Sequence, residues 1–224
     1  MKRIGIVAAL PGELKPLVSS WKRLDGDAWT GAVAGHECMA VAGGMGTDAA
    51  KRACERIFAA GPVDVLMSVG WAGALSCGVK PPDACEVKEV VDTQTGERFF
   101  TGQKEGCRLV TLDHVAGVAE KRRLAESYHA VMVDMEAATV ARLARARNVP
   151  FLCCKSISDA ATDVLPDFSK FISAKGQLRM ASFLAHVAVR PRYWKNLVRM
   201  GSNSQRAAVA LCGLIEKMLT RPVE

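Results

Sequence analysis

Short apolar runs alternate along the chain with segments whose apolar positions recur every three to four residues. This alternation limits the fold more than any other feature. Strands are predicted at 3–9, 30–34, 38–42, 64–69, 85–91, 108–112, 131–134 and 150–157. Helices are predicted at 12–20, 47–60, 116–127, 136–147 and about 167–189, with a basic helix or helix pair from about 193 to 219. Several of the strands are apolar throughout rather than alternating, which is the mark of a sheet covered on both faces. The expected class is therefore α/β, with a central mixed, mostly parallel sheet flanked by helices. At 224 residues the chain is long enough for one such domain with a sizeable core. The domain is placed at 1–189, and 190–224 is read as a C-terminal extension beginning at Arg190-Pro191-Arg192.

Composition removes several classes. Half of the residues are hydrophobic and 24% are charged, too apolar for a disordered chain and without collagen or coiled-coil periodicity. No stretch approaches the roughly 20 apolar residues of a membrane span. The first residues imitate a secretory signal, but their apolar run is short and passes directly into Glu13 and Lys15, so it reads as a buried strand. Eight cysteines are scattered without a CxxC pair, and no histidine stands at metal-ligand spacing. A reduced, cytoplasmic protein with buried thiols and neither metal nor organic cofactor is expected.

The formal charge of +7 is uneven. From Arg190 onward seven basic residues face two acidic ones, so most of the excess belongs to the end of the chain. Trp194, Leu197 and Val198 fall there at helical spacing among Lys195, Arg199 and Arg206. A docked helix with a solvated polar face is one reading. An amphipathic segment touching an anionic membrane surface, at the inner face of the membrane, is the sharper one. Nucleic-acid binding is not expected, because the charge is modest and no recognised motif accompanies it.

In parallel sheets ligands sit at the carboxyl ends of the strands. That rule picks out residues 11–13, 43–46, 70–73, 135–136 and 158–159, and among them three acids: Glu13, Glu136 and Asp159. Acids around an apolar site suit a positively charged transition state such as that of glycosidic cleavage. The bland alternative for each is a helix cap or dipole partner. The glycine turns at 43–46 and 70–73 would let a ligand approach the backbone, yet they lack the spacing of a dinucleotide or P-loop site. The residues alone give a pocket for a sugar- or nucleotide-like molecule.

The segments IGIVAALPGEL, VAGGMGTDAAKRA, SVGWAGAL, VMVDMEAATVARLARARNVPFLCCKSISD and DFSKF, in that order, resemble the nucleoside phosphorylase/nucleosidase family over about residues 3–185. The pair VDMEA and SISD is the most specific part. The resemblance implies cleavage of a purine N-glycosidic bond, with Asp159 as general acid toward the base and Ser158 orienting it. An ordinary aspartate has a pKa of about 3.9, so that role requires burial and a bound base. It further implies that Glu136 clamps the ribose hydroxyls, that Glu13 activates the attacking water, that Met135 packs on the sugar and that Phe168 stacks on the purine. For Met135 and Phe168 the alternative is plain core packing.

Departures from the family pattern bear on the nucleophile. The first loop has no arginine for phosphate, Trp71 stands before Gly73 where relatives carry a serine, and Lys155 stands where nucleosidases place an arginine. Together these favour water; inorganic phosphate would be the co-substrate of a phosphorylase. Asp134 replaces the first glutamate of the motif, and its role is left open. Between Asp92 and Val131 the chain is short for the family, and His114 occupies the place of an expected aromatic, either as a ligand contact or as a structural residue. The shortened core and the basic tail resemble the hopanoid-associated branch, whose substrate is thought to be adenosylhopane. An ordinary methylthioadenosine/S-adenosylhomocysteine nucleosidase is the second reading, and a non-catalytic nucleoside binder closed off by Trp71 the third. A homodimer is expected from the relatives.

Overall fold

The computed structural model describes residues 1–164, 171 and 194–221. In chain order the elements are β1 (Arg3–Ala8), α1 (Pro11–Leu14), β2 (Lys22–Arg23), β3 (Ala28–Val33), β4 (His36–Ala42), α2 (Thr47–Ala59), β5 (Val65–Ser68) and β6 (Trp71–Ala74). Then follow β7 (Ala84–Asp92), β8 (Arg98–Phe100), β9 (Cys107–Thr111), α3 (Val118–Tyr128), β10 (Met132–Asp134), α4 (Ala137–Ala146), β11 (Phe151–Asp159) and α5 (Trp194–Thr220). The expected helix at 167–189 lies outside the described residues.

The strands run β2-β3-β4-β1-β5-β11-β6-β10-β9-β7-β8, and β7 also pairs with β11. That last pairing closes β11, β6, β10, β9 and β7 into a ring, while β5, β1, β4, β3 and β2 extend from it as an open wing. β1 is parallel to β4 and β5, and β11 to β5 and β6, but β10–β6, β7–β11, β3–β4 and β7–β8 are antiparallel. The sheet is thus mixed, as expected, and in addition closes into a barrel at its centre.

Two helical layers cover the sheet. α2 and α4 bury Ala49, Ala53, Ile57, Val140, Ala141 and Ala144 at helical spacing, small side chains that let the helices lie close to the strands. On the other side Leu14, Leu211, Ile215 and Met218 pack with Ile4, Ile6, Val65 and Met67. α5 is one continuous helix, and its inward stripe runs through Ser204, Ala207, Ala208, Leu211, Ile215, Met218 and Leu219. Among the described residues no helix is long and apolar enough to cross a membrane. Leu211 is fully buried, so Leu211→Ala is expected to cost about 2–5 kcal/mol in urea denaturation. An unchanged midpoint would mean that this helix contributes nothing to the body.

Candidate active site

Four chain segments converge at the carboxyl ends of β1, β5, β10 and β11. They enclose a cavity of about 190 Å³ lined by Glu13, Trp71, Gly73, Met135, Glu136, Ser158 and Asp159, among others. The three acids are at most 8% exposed. His114 stands on the lining as well, but its Nδ1 is bonded to Asp113 (2.6 Å) and its Nε2 to Glu120 (3.0 Å), so both ring nitrogens are engaged. Both contacts raise its pKa. Phe168 lies outside the described residues.

Glu13 is held by the backbone. The N–H groups of Ala9 and Leu10 donate to Oε2, each at 2.8 Å, and the N–H of Trp71 donates to Oε1 at 2.9 Å. Each carboxylate oxygen has two acceptor sites, so Oε2 is filled and Oε1 keeps one for a ligand. Burial raises the pKa of this carboxyl, and the three N–H groups and Lys155 oppose the rise without cancelling it. Gly70 makes the arrangement possible: its φ is +134°, and a Cβ there would lie 2.9 Å from Glu13 Oε1. The indole of Trp71 lies over Gly12.

Glu136 opens α4 and reaches across to the start of α2, where the N–H of Gly46 donates to Oε1 at 2.7 Å. Burial and then the charge of Asp134 push its pKa up to about 7. Beneath it Asp134 takes hydrogen bonds from Thr111 Oγ1 (2.7 Å) and the N–H of Ala137 (2.9 Å), and pairs with Lys155 Nζ at 2.8 Å. Burial works against the charge of Lys155, but Asp134, Cys153 and Glu136 hold its pKa above the ordinary lysine value. Lys155 also donates to the carbonyl of Val69 (3.3 Å) and does not line the cavity. Asp134 and Lys155 therefore form a buried pair beneath Glu136, a role the sequence left open for Asp134.

The shifted carboxyl of Glu136 gives a signed prediction. Between about pH 4.5 and 7 an unfolded glutamate has lost its proton while the folded one keeps it, so this group removes stability as pH rises through that window. Glu136→Gln keeps an acceptor for Gly46 and abolishes the buried charge. Its melting temperature is expected to match the parent below pH 4.5 and to exceed it above pH 7, by on the order of 2–3 kcal/mol or 5–10 °C. A difference independent of pH would show that this carboxyl is not what titrates.

Asp159 ends β11. Ser158 Oγ donates to its Oδ1 at 2.8 Å, and Lys121 Nζ lies 2.5 Å from its Oδ2. Lys121 was not singled out by the sequence, where it begins a Lys-Arg-Arg run on α3 that reads as a solvated face. Arg122 is indeed exposed, but Lys121 and Leu124, one helical turn apart, both point inward. A three-residue spacing to a leucine was the available signal. The loop after Asp159 is tied to α5: Asp163 accepts from the N–H of Ala160 (2.9 Å) and pairs with Arg199, while Ser204 of α5 lines the cavity. Among the described residues no cluster of three or more His, Cys, Asp or Glu forms a metal site.

The sequence signature of the phosphorylase superfamily matches residues 3–116 and 95–188. No curated protein matches the chain. Among solved structures, S-adenosylhomocysteine nucleosidase from Streptococcus pyogenes, in complex with 5-methylthiotubericidin, superposes with a TM-score of 0.71 at 16% identity, covering 98% of this chain and 96% of that one. The 5'-methylthioadenosine/S-adenosylhomocysteine nucleosidase of Neisseria meningitidis gives 0.71 at 18% identity, over 98% of this chain and 99% of that one. Futalosine hydrolase of Helicobacter pylori gives 0.68 at 18% identity, over 96% and 98%.

Proposed function

The chain belongs to the phosphorylase superfamily, and from that premise we propose that it is an enzyme that hydrolyses the N-glycosidic bond of an adenine-type nucleoside. One observation carries the reading: Glu13, Glu136 and Asp159, up to 146 positions apart, are all buried on the wall of one cavity. Acids clustered in a mostly apolar cavity suit a ribosyl group that becomes cationic as the base departs. In this reading Glu136 accepts from the ribose 2′- and 3′-hydroxyls, Met135 packs on the sugar, and Ser158 and Asp159 engage the base. Glu13 takes a proton from the attacking water through the open acceptor site of Oε1, and its raised pKa makes it a stronger base than an exposed glutamate.

Water is favoured over phosphate by charge. Among the described residues no arginine lines the cavity, and the lysine that does, Lys121, is already paired with Asp159. Phosphate would enter beside Glu13 and Glu136, and like charges in a poorly solvated site repel strongly. The nucleosidases and the hydrolase that share the fold support the same choice. The test is adenine release from methylthioadenosine, with and without inorganic phosphate. Release without phosphate is the expected result; strict dependence on phosphate would make the chain a phosphorylase, and no release from any adenine nucleoside would end the proposal. Including S-adenosylhomocysteine and an adenosine with a long 5′-alkyl chain separates the ordinary nucleosidase from the adenosylhopane-type enzyme.

A further inference from the structure

We propose that Cys107 and Cys85 form a reversible oxidation site, at which hydrogen peroxide converts the two thiols into a disulfide. The site is separate from the cavity and does not rest on the hydrolase reading. β7 and β9 are parallel neighbours, with Val87 opposite Cys107. Cys85 precedes Val87 by two residues, so the strand repeat turns all three side chains to one face. Both cysteines are half-buried and pack against the apolar cluster that contains Val87. Gly106 lets the strands approach closely just there: its φ is +138°, and a Cβ would lie 2.7 Å from the carbonyl oxygen of Glu86. The Cys85 thiol donates a hydrogen bond to the Cys107 sulfur. Both residues stand at the amino ends of their strands, away from the carboxyl-end cavity.

Local charge assigns the two roles. The hydrogen bond from Cys85 lowers the pKa of Cys107 to about 7 against the effect of burial, and the ammonium of Lys88 adds to the fall. Cys85 shifts upward, through the bond it gives, its burial and the charges of Cys107 and Asp83. The thiolate is the nucleophile, so Cys107 attacks and Cys85 resolves. Burial raises the pKa of Cys38, Cys54, Cys153, Cys154 and Cys212, which removes them from competition. Cys77, on the turn after β6, is the exposed thiol against which the pair is measured. The Cys107 thiolate attacks one oxygen of hydrogen peroxide, the O–O bond breaks, and hydroxide leaves and takes up a proton as water. Cys107 is then a sulfenic acid. The Cys85 sulfur attacks the Cys107 sulfur, the S–O bond breaks, and the oxygen departs with the Cys85 proton as a second water. The sulfurs lose two electrons in all and the peroxide gains them; a dithiol reductant reverses the change.

The experiment treats the full chain with an equivalent of hydrogen peroxide near neutral pH, blocks the remaining thiols by alkylation and maps the peptides by mass spectrometry. The first product is expected to be lighter by two hydrogens, with Cys85 and Cys107 linked, and dithiothreitol is expected to restore the parent mass. Cys107→Ser abolishes the link. Cys85→Ala removes both the hydrogen-bond donor and the resolving thiol. Cys107 then reacts more slowly by about fivefold or more and stops at a sulfenic acid that dimedone captures. Oxidation of Cys77 ahead of the pair overturns the proposal, as does a parent chain that accumulates sulfenic acid at Cys107 without forming the link. A Cys107→Ser variant that loses thiols at the parent's rate overturns it as well. Peptide mapping of the unsubstituted chain decides the matter even where a variant fails to fold.

Discussion

Asp159→Asn is expected to lower kcat for adenine release by about 10²–10⁴-fold, the largest loss at any position that leaves the fold intact. The substitution keeps the shape of the side chain but removes its charge. Ser158 and Lys121 both donate to the carboxylate now; an amide offers one acceptor oxygen and turns an NH2 group toward the other donor. Lys121, nearly inaccessible to solvent, loses its counter-ion. Substrate affinity falls far less than rate, because the interaction grows as the base gains electrons. Steady-state kinetics at saturating substrate, with circular dichroism to check folding, decides the matter, and unchanged turnover would remove Asp159 from the reaction.

Glu13→Gln is expected to reduce kcat by about 10²–10³-fold through the other end of the cavity. A glutamine oxygen placed at Oε2 keeps the bonds from Ala9 and Leu10, but the amide NH2 then opposes the N–H of Trp71. The acceptor site needed for water is lost with it. The rise of activity with pH that an ionising Glu13 produces is expected to vanish in the variant, which separates loss of a base from loss of packing. A variant with the parent's rate and pH profile would show that another group activates water.

Most strands were legible as short runs rich in apolar and β-branched residues. β1, β5 and β11 stand within two residues of their predicted bounds, each carrying an unbroken apolar or small-residue run, although β11 ends in the buried polar residues Lys155, Ser156, Ser158 and Asp159. β6 was missed: two of the five residues in Gly70-Trp71-Ala72-Gly73-Ala74 are glycine, and the segment reads as a turn until its partners are known. Pairing with β11 and β10 makes it a strand, and those partners are remote in sequence. α1 ends at Leu14, short of the predicted residue 20, because Pro16 has no N–H to donate to the carbonyl four residues earlier. The acids at 13, 136 and 159 were legible as strand-end residues. Lys121 was not, since its partner lies 38 positions away and local charge pattern points outward.

β11 belongs to both parts of the sheet, pairing with β5 in the open wing and with β6 and β7 in the ring. The carboxyl at its tip is therefore anchored by three neighbours at once, and moving it means parting the molecule's two halves. Lys121 and Ser204, by contrast, come from helices at the rim that shift without unzipping a strand. Divergence of such a scaffold toward new nucleosides has room in those helices and almost none in the strand that carries the acid.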